Sequence, residues 1–137
     1  MAEANSSSVA LRIFSDDLIP EEVTELLRCE PSHSQTKGQP FSNKHSGKKR
    51  VAKTGMWRLS ATDFEPANLD AQVDEIFQQL PSDLNIWNQL ATHYELDISC
   101  GLFLDKRSGV VLLAAKSMQI LSSRTVRLTL DIYAGDD

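Results

Sequence analysis

The feature that most constrains this chain is alternation. Val9, Leu11 and Ile13 take every second place from Val9 to Phe14, and Trp57, Leu59 and Ala61 do so after Gly55. The pattern returns at Leu96, Ile98, Cys100, Leu102 and Leu104, and again at Val126, Leu128, Leu130 and Ile132. A period of two turns successive side chains to opposite faces, so each stretch reads as a strand with one face on a core. Alternating strands, in contrast to continuously apolar ones, point to an antiparallel or mixed sheet backed by helices.

Between the strands the period changes to that of a helix. Pro20 suits a first helical position, Glu21 and Glu22 complement the positive helix start, and Val23, Leu26 and Leu27 recur at helical spacing, which predicts a helix from Pro20 to Cys29. Ile19 is a poor cap there, so Asp16 or Asp17 is expected to supply oxygens to the orphan amides. Asn68 caps a second helix with Leu69, Val73, Ile76, Phe77 and Leu80 on one stripe. Pro81 interrupts it, and Ser82 is expected to cap a third helix through Trp87, Leu90, Ala91 and Tyr94. A turn at Lys106 to Gly109 predicts a hairpin between the Leu96–Leu104 strand and Val110–Ala114, followed by a short helix over Ala115 to Leu121. The order of elements predicts an α+β fold, an antiparallel or mixed sheet backed by helices, close to a ferredoxin-like core with additions. At 137 residues the whole chain, 1–137, reads as one domain.

Charge is partitioned unevenly. Pro31 to Thr62 holds seven of the fourteen Lys and Arg residues, Lys37, Lys44, Lys48, Lys49, Arg50, Lys53 and Arg58, and no Asp or Glu, while nineteen acidic residues lie elsewhere. Residues 31–54 show no sustained apolar period, so they read as a long surface connection with one short strand near Ser34 to Lys37 and a basic loop at about 38–54. A net charge of −5 argues against nucleic acid as a partner of the body as a whole. The longest apolar run, Val110 to Ala115, is far short of a bilayer span, and the N-terminus carries no basic residue ahead of an apolar stretch, so the expectation is a cytoplasmic protein with no membrane association.

No arrangement of reactive residues reaches a catalytic signature. His33, His45 and His93 lack a second ligand at metal spacing, and no cofactor or metal is expected. Gly47-Lys48-Lys49-Arg50 lacks the first glycine of a phosphate loop, where Ser42 stands, and its hydroxyl, where Lys49 stands. Cys100 shares the inward phase of Ile98 and Leu102 and is therefore expected to be an inert thiol; Cys29 and Cys100 read as two reduced cysteines. The outward phase is richer. Arg12, Phe14, Phe103, Arg127, Asp131 and Tyr133 fall opposite the core on three strands and form a candidate aromatic and charged face for a partner protein or self-association. Lys37, Lys48, Lys49 and Arg50 are the candidate contacts of the basic loop to an anion or a partner.

Several short motifs share an order and spacing. They are Leu11-Arg12-Ile13-Phe14, Asp16-Asp17-Leu18-Ile19-Pro20-Glu21-Glu22-Val23, Glu30-Pro31-Ser32, Lys37-Gly38, Gly55-Met56-Trp57, Cys100-Gly101-Leu102-Phe103 and Leu128-Thr129-Leu130-Asp131-Ile132-Tyr133. In these the chain resembles a bacterial family known only as a domain of unknown function, number 4279, over nearly its whole length. It departs from that pattern at Ile19, where a small polar cap is expected, and in the basic insertion from Phe41 to Lys53. The resemblance implies a small bacterial cytoplasmic α+β domain and transfers no activity, cofactor or site. The residues themselves favour a non-enzymatic protein-binding module of immunity or adaptor type. The alternative is an enzyme or sensor for a small anionic ligand held by the basic loop against Arg12, Asp131 and Tyr133.

Overall fold

The computed structural model describes residues 4–42 and 47–135. Along the chain run β1 (Ser6–Ser15), α1 (Pro20–Leu27), β2 (His33–Gln35), β3 (Pro40–Ser42), β4 (Lys49–Val51), β5 (Gly55–Ser60), α2 (Leu69–Phe77), α3 (Leu84–His93), β6 (Glu95–Leu104), α4 (Ala115–Ser123) and β7 (Arg127–Ala134). The main sheet has the order β2-β5-β1-β6-β7. β1 lies at its centre and runs antiparallel to both β5 and β6, while β7 runs parallel to β6 at one edge. A parallel pair needs a crossover, and α4 supplies it. The fold is α+β, with the mixed sheet and backing helices that the alternation predicts. Its central pairs are antiparallel, and the one parallel pair, β6–β7, sits at an edge of the main sheet.

The inward positions of β1, β5 and β6 meet the helices, whereas Leu128, Leu130 and Ile132 of β7, expected on the core by the same alternation, stay exposed at the sheet edge. Val9, Leu11, Ile13, Trp57, Leu59, Ile98, Cys100 and Leu102 join Val23 and Leu27 of α1, Val73 and Ile76 of α2, and Trp87 and Leu90 of α3 in one buried cluster. Each large apolar side chain so buried stabilises the fold by about 1.5–3 kcal/mol. Both indoles keep a partner: Trp57 Nε1 donates to Thr24 Oγ1 at 3.0 Å and Trp87 Nε1 to the Pro81 carbonyl at 2.9 Å. Polar side chains also cross the core boundary. Gln72, fully buried on α2, donates to the Ser7 and Thr62 carbonyls and accepts from Ser7 Oγ at 2.6 Å, which latches α2 to β1.

Three local expectations are corrected. The hairpin between the Leu96–Leu104 strand and 110–114 does not form, because β6 already has β1 on one side and β7 on the other. Residues 111–114 lead instead, without a strand, into α4. The third helix is capped by Asp83, whose side chain accepts from Asn85 N at 2.9 Å, and not by Ser82. Neither Asp16 nor Asp17 caps α1, which starts with no side-chain cap bond and relies on Pro20 at its first turn.

The basic segment is more ordered than its composition indicates. β3 and β4 form a separate two-stranded ladder, and Phe41 stands opposite Arg50 in the same register that sets His33 opposite Arg58 between β2 and β5. The β2–β5 hairpin therefore continues outward as an arm after an interruption near Gly38, whose φ of +87° and amide bond to the Ala52 carbonyl turn the chain. The expected short strand near Ser34 is β2 itself.

Candidate functional site

The helices pack on one face of the sheet, so the outward residues of β1, β5, β6 and β7 form an open face. Strand register sorts them into rows. Arg58, Arg12, Asp97 and Arg127 lie in lateral register, then Ser60, Ala10, Ser99 and Thr129, then Ser8, Gly101 and Asp131, then Ser6, Phe103 and Tyr133. The middle rows carry Ser, Ala and Gly between rows of Arg and aromatic residues, so the surface dips where the small side chains stand. The depression encloses about 260 Å³. Ser8, Ala10, Ser60, Ser99 and Gly101 form its floor, Arg58 and Asp63 one side, and Phe103, Tyr133 and Asp131 the other. A Cβ at Gly101 would stand 2.7 Å from Ser8 Oγ and 3.4 Å from Phe103 Cε2, so glycine is what leaves this part of the floor open.

Phe103 and Tyr133 are direct neighbours across the parallel ladder and stack with ring centroids 5.0 Å apart and planes 8° from parallel. Neither ring is covered: Phe103 is 42% and Tyr133 55% exposed. Stacked rings of this kind hold each other in place and present a rigid apolar wall with the tyrosine hydroxyl at its rim.

Beside the depression the face is tied together by charge. Arg12 donates through Nε to Asp97 Oδ1 at 2.8 Å and through its terminal nitrogen to Oδ2, a bidentate pair, and Thr129 Oγ1 donates to Oδ2 at 2.8 Å. Asp97 is fully buried and three donors satisfy it. Its hydrogen bond raises the Arg12 pKa above the ordinary value against the opposing effect of burial, and the charges of Asp97 and Asp131 add to the rise.

All six sheet-face candidates therefore share the open face, with unequal places on it. Phe103, Asp131 and Tyr133 line the depression. Arg12 is engaged by Asp97 and lies 5.9 Å from the Phe14 ring centroid, while Arg127 faces Glu95 at 3.8 Å. The sequence reading missed the floor, although its signal was present: the outward phase of the Leu96–Leu104 strand places Ser99 and Gly101 where a covered sheet would carry bulk. It also missed Arg58 and Asp63.

The basic set stands apart. Lys37 pairs with Asp16 at 3.2 Å, both exposed, and Lys49 and Arg50 lie on β4 opposite Ser42 and Phe41. None of Lys37, Lys48, Lys49 and Arg50 lines the depression. Reactive groups are similarly dispersed. Cys100 faces the helices, and burial, with the Asp97 charge second, pushes its thiol up to about 12, far from a nucleophilic thiolate at neutral pH. His33 is exposed beside Gln35 Oε1 at 3.4 Å, and His45 falls outside the described residues. Among the described residues no three His, Cys, Asp or Glu side chains gather as a metal site. Among them, too, no helix is long and apolar enough to cross a membrane.

No curated protein and no solved structure matches the chain. A family model does, over residues 4–135, which takes in every strand and helix of the fold and both walls of the depression. The chain belongs to the family described as domain of unknown function (DUF4279).

Proposed function

We propose that the protein is a non-enzymatic binding module that docks a protein partner on the open face of its sheet. The observation that carries this reading is the exposed Phe103–Tyr133 stack walling a depression of about 260 Å³ on a face that none of the described helices covers. That volume lies below the range of most small-molecule sites and suits one protruding side chain of a partner. An aromatic wall beside polar groups is the composition of an interface anchor pocket, and here Arg58 and Asp63 supply polar groups at the side and the serines supply them on the floor. One buried cluster running from Val9 to Val126 supports treating residues 1–137 as one domain, and two free thiols suit a reducing, cytoplasmic setting. The basic arm projects from the same sheet as a second, electrostatic contact whose contribution weakens with salt.

The test is native mass spectrometry of the protein isolated gently from its own host, repeated with Tyr133→Ala and with Lys48, Lys49 and Arg50 reversed to Glu. A stoichiometric protein partner that is lost with Tyr133→Ala, at unchanged melting temperature, supports docking on the open face. Retention of that partner by Tyr133→Ala refutes it. A retained small anion, lost on reversal of the three basic residues, would replace the module with a ligand sensor.

A further inference from the structure

We propose that β7 pairs antiparallel with β7 of a second copy of this chain, with Thr129 on the two-fold axis. β7 is the edge of the main sheet, eight residues long, and among the described residues no strand lies beside its outer row of amides and carbonyls. Natural edges of this length are guarded by proline, lysine, a bulge or a covering element. β7 contains neither proline nor lysine, its pairing to β6 runs unbroken from Arg127 to Ala134, and its helix-side residues stay open, Leu128 at 39%, Leu130 at 47% and Ile132 at 60% exposed.

The occupant follows from the strand's own pattern, which is self-complementary. In a two-fold pair about Thr129, residue 127 of one copy faces residue 131 of the other, and residue 128 faces residue 130. Arg127 then meets Asp131 twice on the open face, and Leu128 meets Leu130 twice on the helix side. The next position sets Ile132 against Val126, which is already buried in its own subunit. A register that centres on Asp131 or on Arg127 opposes like charges, which is destabilising for residues directly across a ladder. The same two charged residues therefore attract in the register centred on Thr129 and repel in the two centred on either charge, and registers centred on Leu128, Leu130 or Ile132 forgo both Arg127–Asp131 pairs, so the alignment about Thr129 is the one that gains from charge. The pair would merge the two sheets into one and bring Arg127 of the second copy beside Asp131, at the lip of the depression that Asp131 lines.

The experiment is sedimentation velocity on the full chain across a concentration series, with Arg127→Asp, Asp131→Arg and the double charge swap. The expected result is a wild-type dimer, a dissociation constant raised about tenfold or more by either single reversal, and recovery in the double swap, in which positions 127 and 131 again oppose unlike charges with their signs exchanged. Recovery also shows that the single variants failed to pair, not to fold. A second check is Leu130→Lys, which places a guarding charge on the helix side of the edge and is expected to give monomer with unchanged circular dichroism. A wild-type chain that stays monomeric at about 100 μM would overturn the proposal, as that excludes even a weak specific dimer. A dimer indifferent to both single reversals, or a double swap that stays monomeric, would overturn it equally. Because Tyr133→Ala leaves the charge pairs intact, failure of the dimer and failure of the open-face docking reading are separately visible.

Discussion

At the residue scale the open face is organised by Asp97. Its carboxylate is out of water and held by Arg12 and Thr129, and removal of one member of such a pair leaves the other uncompensated. Asp97→Ala is expected to cost about 3 kcal/mol, read as a shift of the urea midpoint at constant slope. The sequence pointed to Arg12 but not to its partner, because Asp97 sits in the outward phase of an exposed-looking strand and only the register of β1 on β6 brings the two together. Cys100 is legible in both. Its thiol is raised from 9.0 to about 12 in the fold, so above pH 9 the unfolded chain loses a proton that the native state retains. Stability is therefore full below pH 9 and falls as pH rises from 9 toward 12, and Cys100→Ala removes that part of the alkaline loss. Native labelling with a thiol reagent at neutral pH is expected to modify the half-buried Cys29 first and to reach Cys100 only on unfolding. Thr125 gives a prediction of opposite sign. It follows α4 with a φ of +59°, while Val126 N bonds the Leu121 carbonyl at 2.9 Å and Thr125 N that of Ser122 at 3.2 Å, the closure that normally takes glycine. A β-branched residue in that conformation is strained, so Thr125→Gly is expected to stabilise by about 1 kcal/mol in the same denaturation measurement.

At the scale of elements, helix α2 shows how far local rules reach. Asn68 was expected as its cap and does accept from Ala71 N at 3.1 Å; Asn68→Ala should cost about 1 kcal/mol. Helix α4 breaks the local rule, as Ala114 offers no side-chain cap. The missing oxygen comes from Asp70 on α2, which accepts from Ala114 N at 3.0 Å and from Ser117 Oγ at 2.6 Å. No window of sequence contains both partners, which are 44 and 47 positions away. Asp70→Ala is accordingly expected to loosen α4 and the β6–α4–β7 crossover, seen as faster amide exchange confined to 114–123. The hairpin expected after β6 failed for a related reason. A turn signal states that the chain reverses but not whether a partner strand already occupies the edge, and β6 had both edges filled by strands distant in sequence.

For the whole molecule, the basic arm and the body are separable. Gln35 and Met56 stand opposite each other across the β2–β5 ladder, so a tight turn can close the chain there, and no described residue of 36–54 belongs to the buried cluster. Replacement of 38–53 by a short Gly-containing turn is expected to leave cooperative thermal unfolding and the midpoint within a few degrees, because loop length changes closure entropy slowly. The class of the fold, the inward faces of β1, β5 and β6 and most of α1 and α2 were determined by sequence alone. Burial follows directly from alternation and helical stripes, and those are properties of neighbours in the chain. Which outward residues meet was decided only by tertiary structure. The Phe103–Tyr133 stack, the Arg12–Asp97–Thr129 knot, the small-residue floor and the open edge of β7 all depend on strand order and register, which are set where residues far apart in sequence share one core.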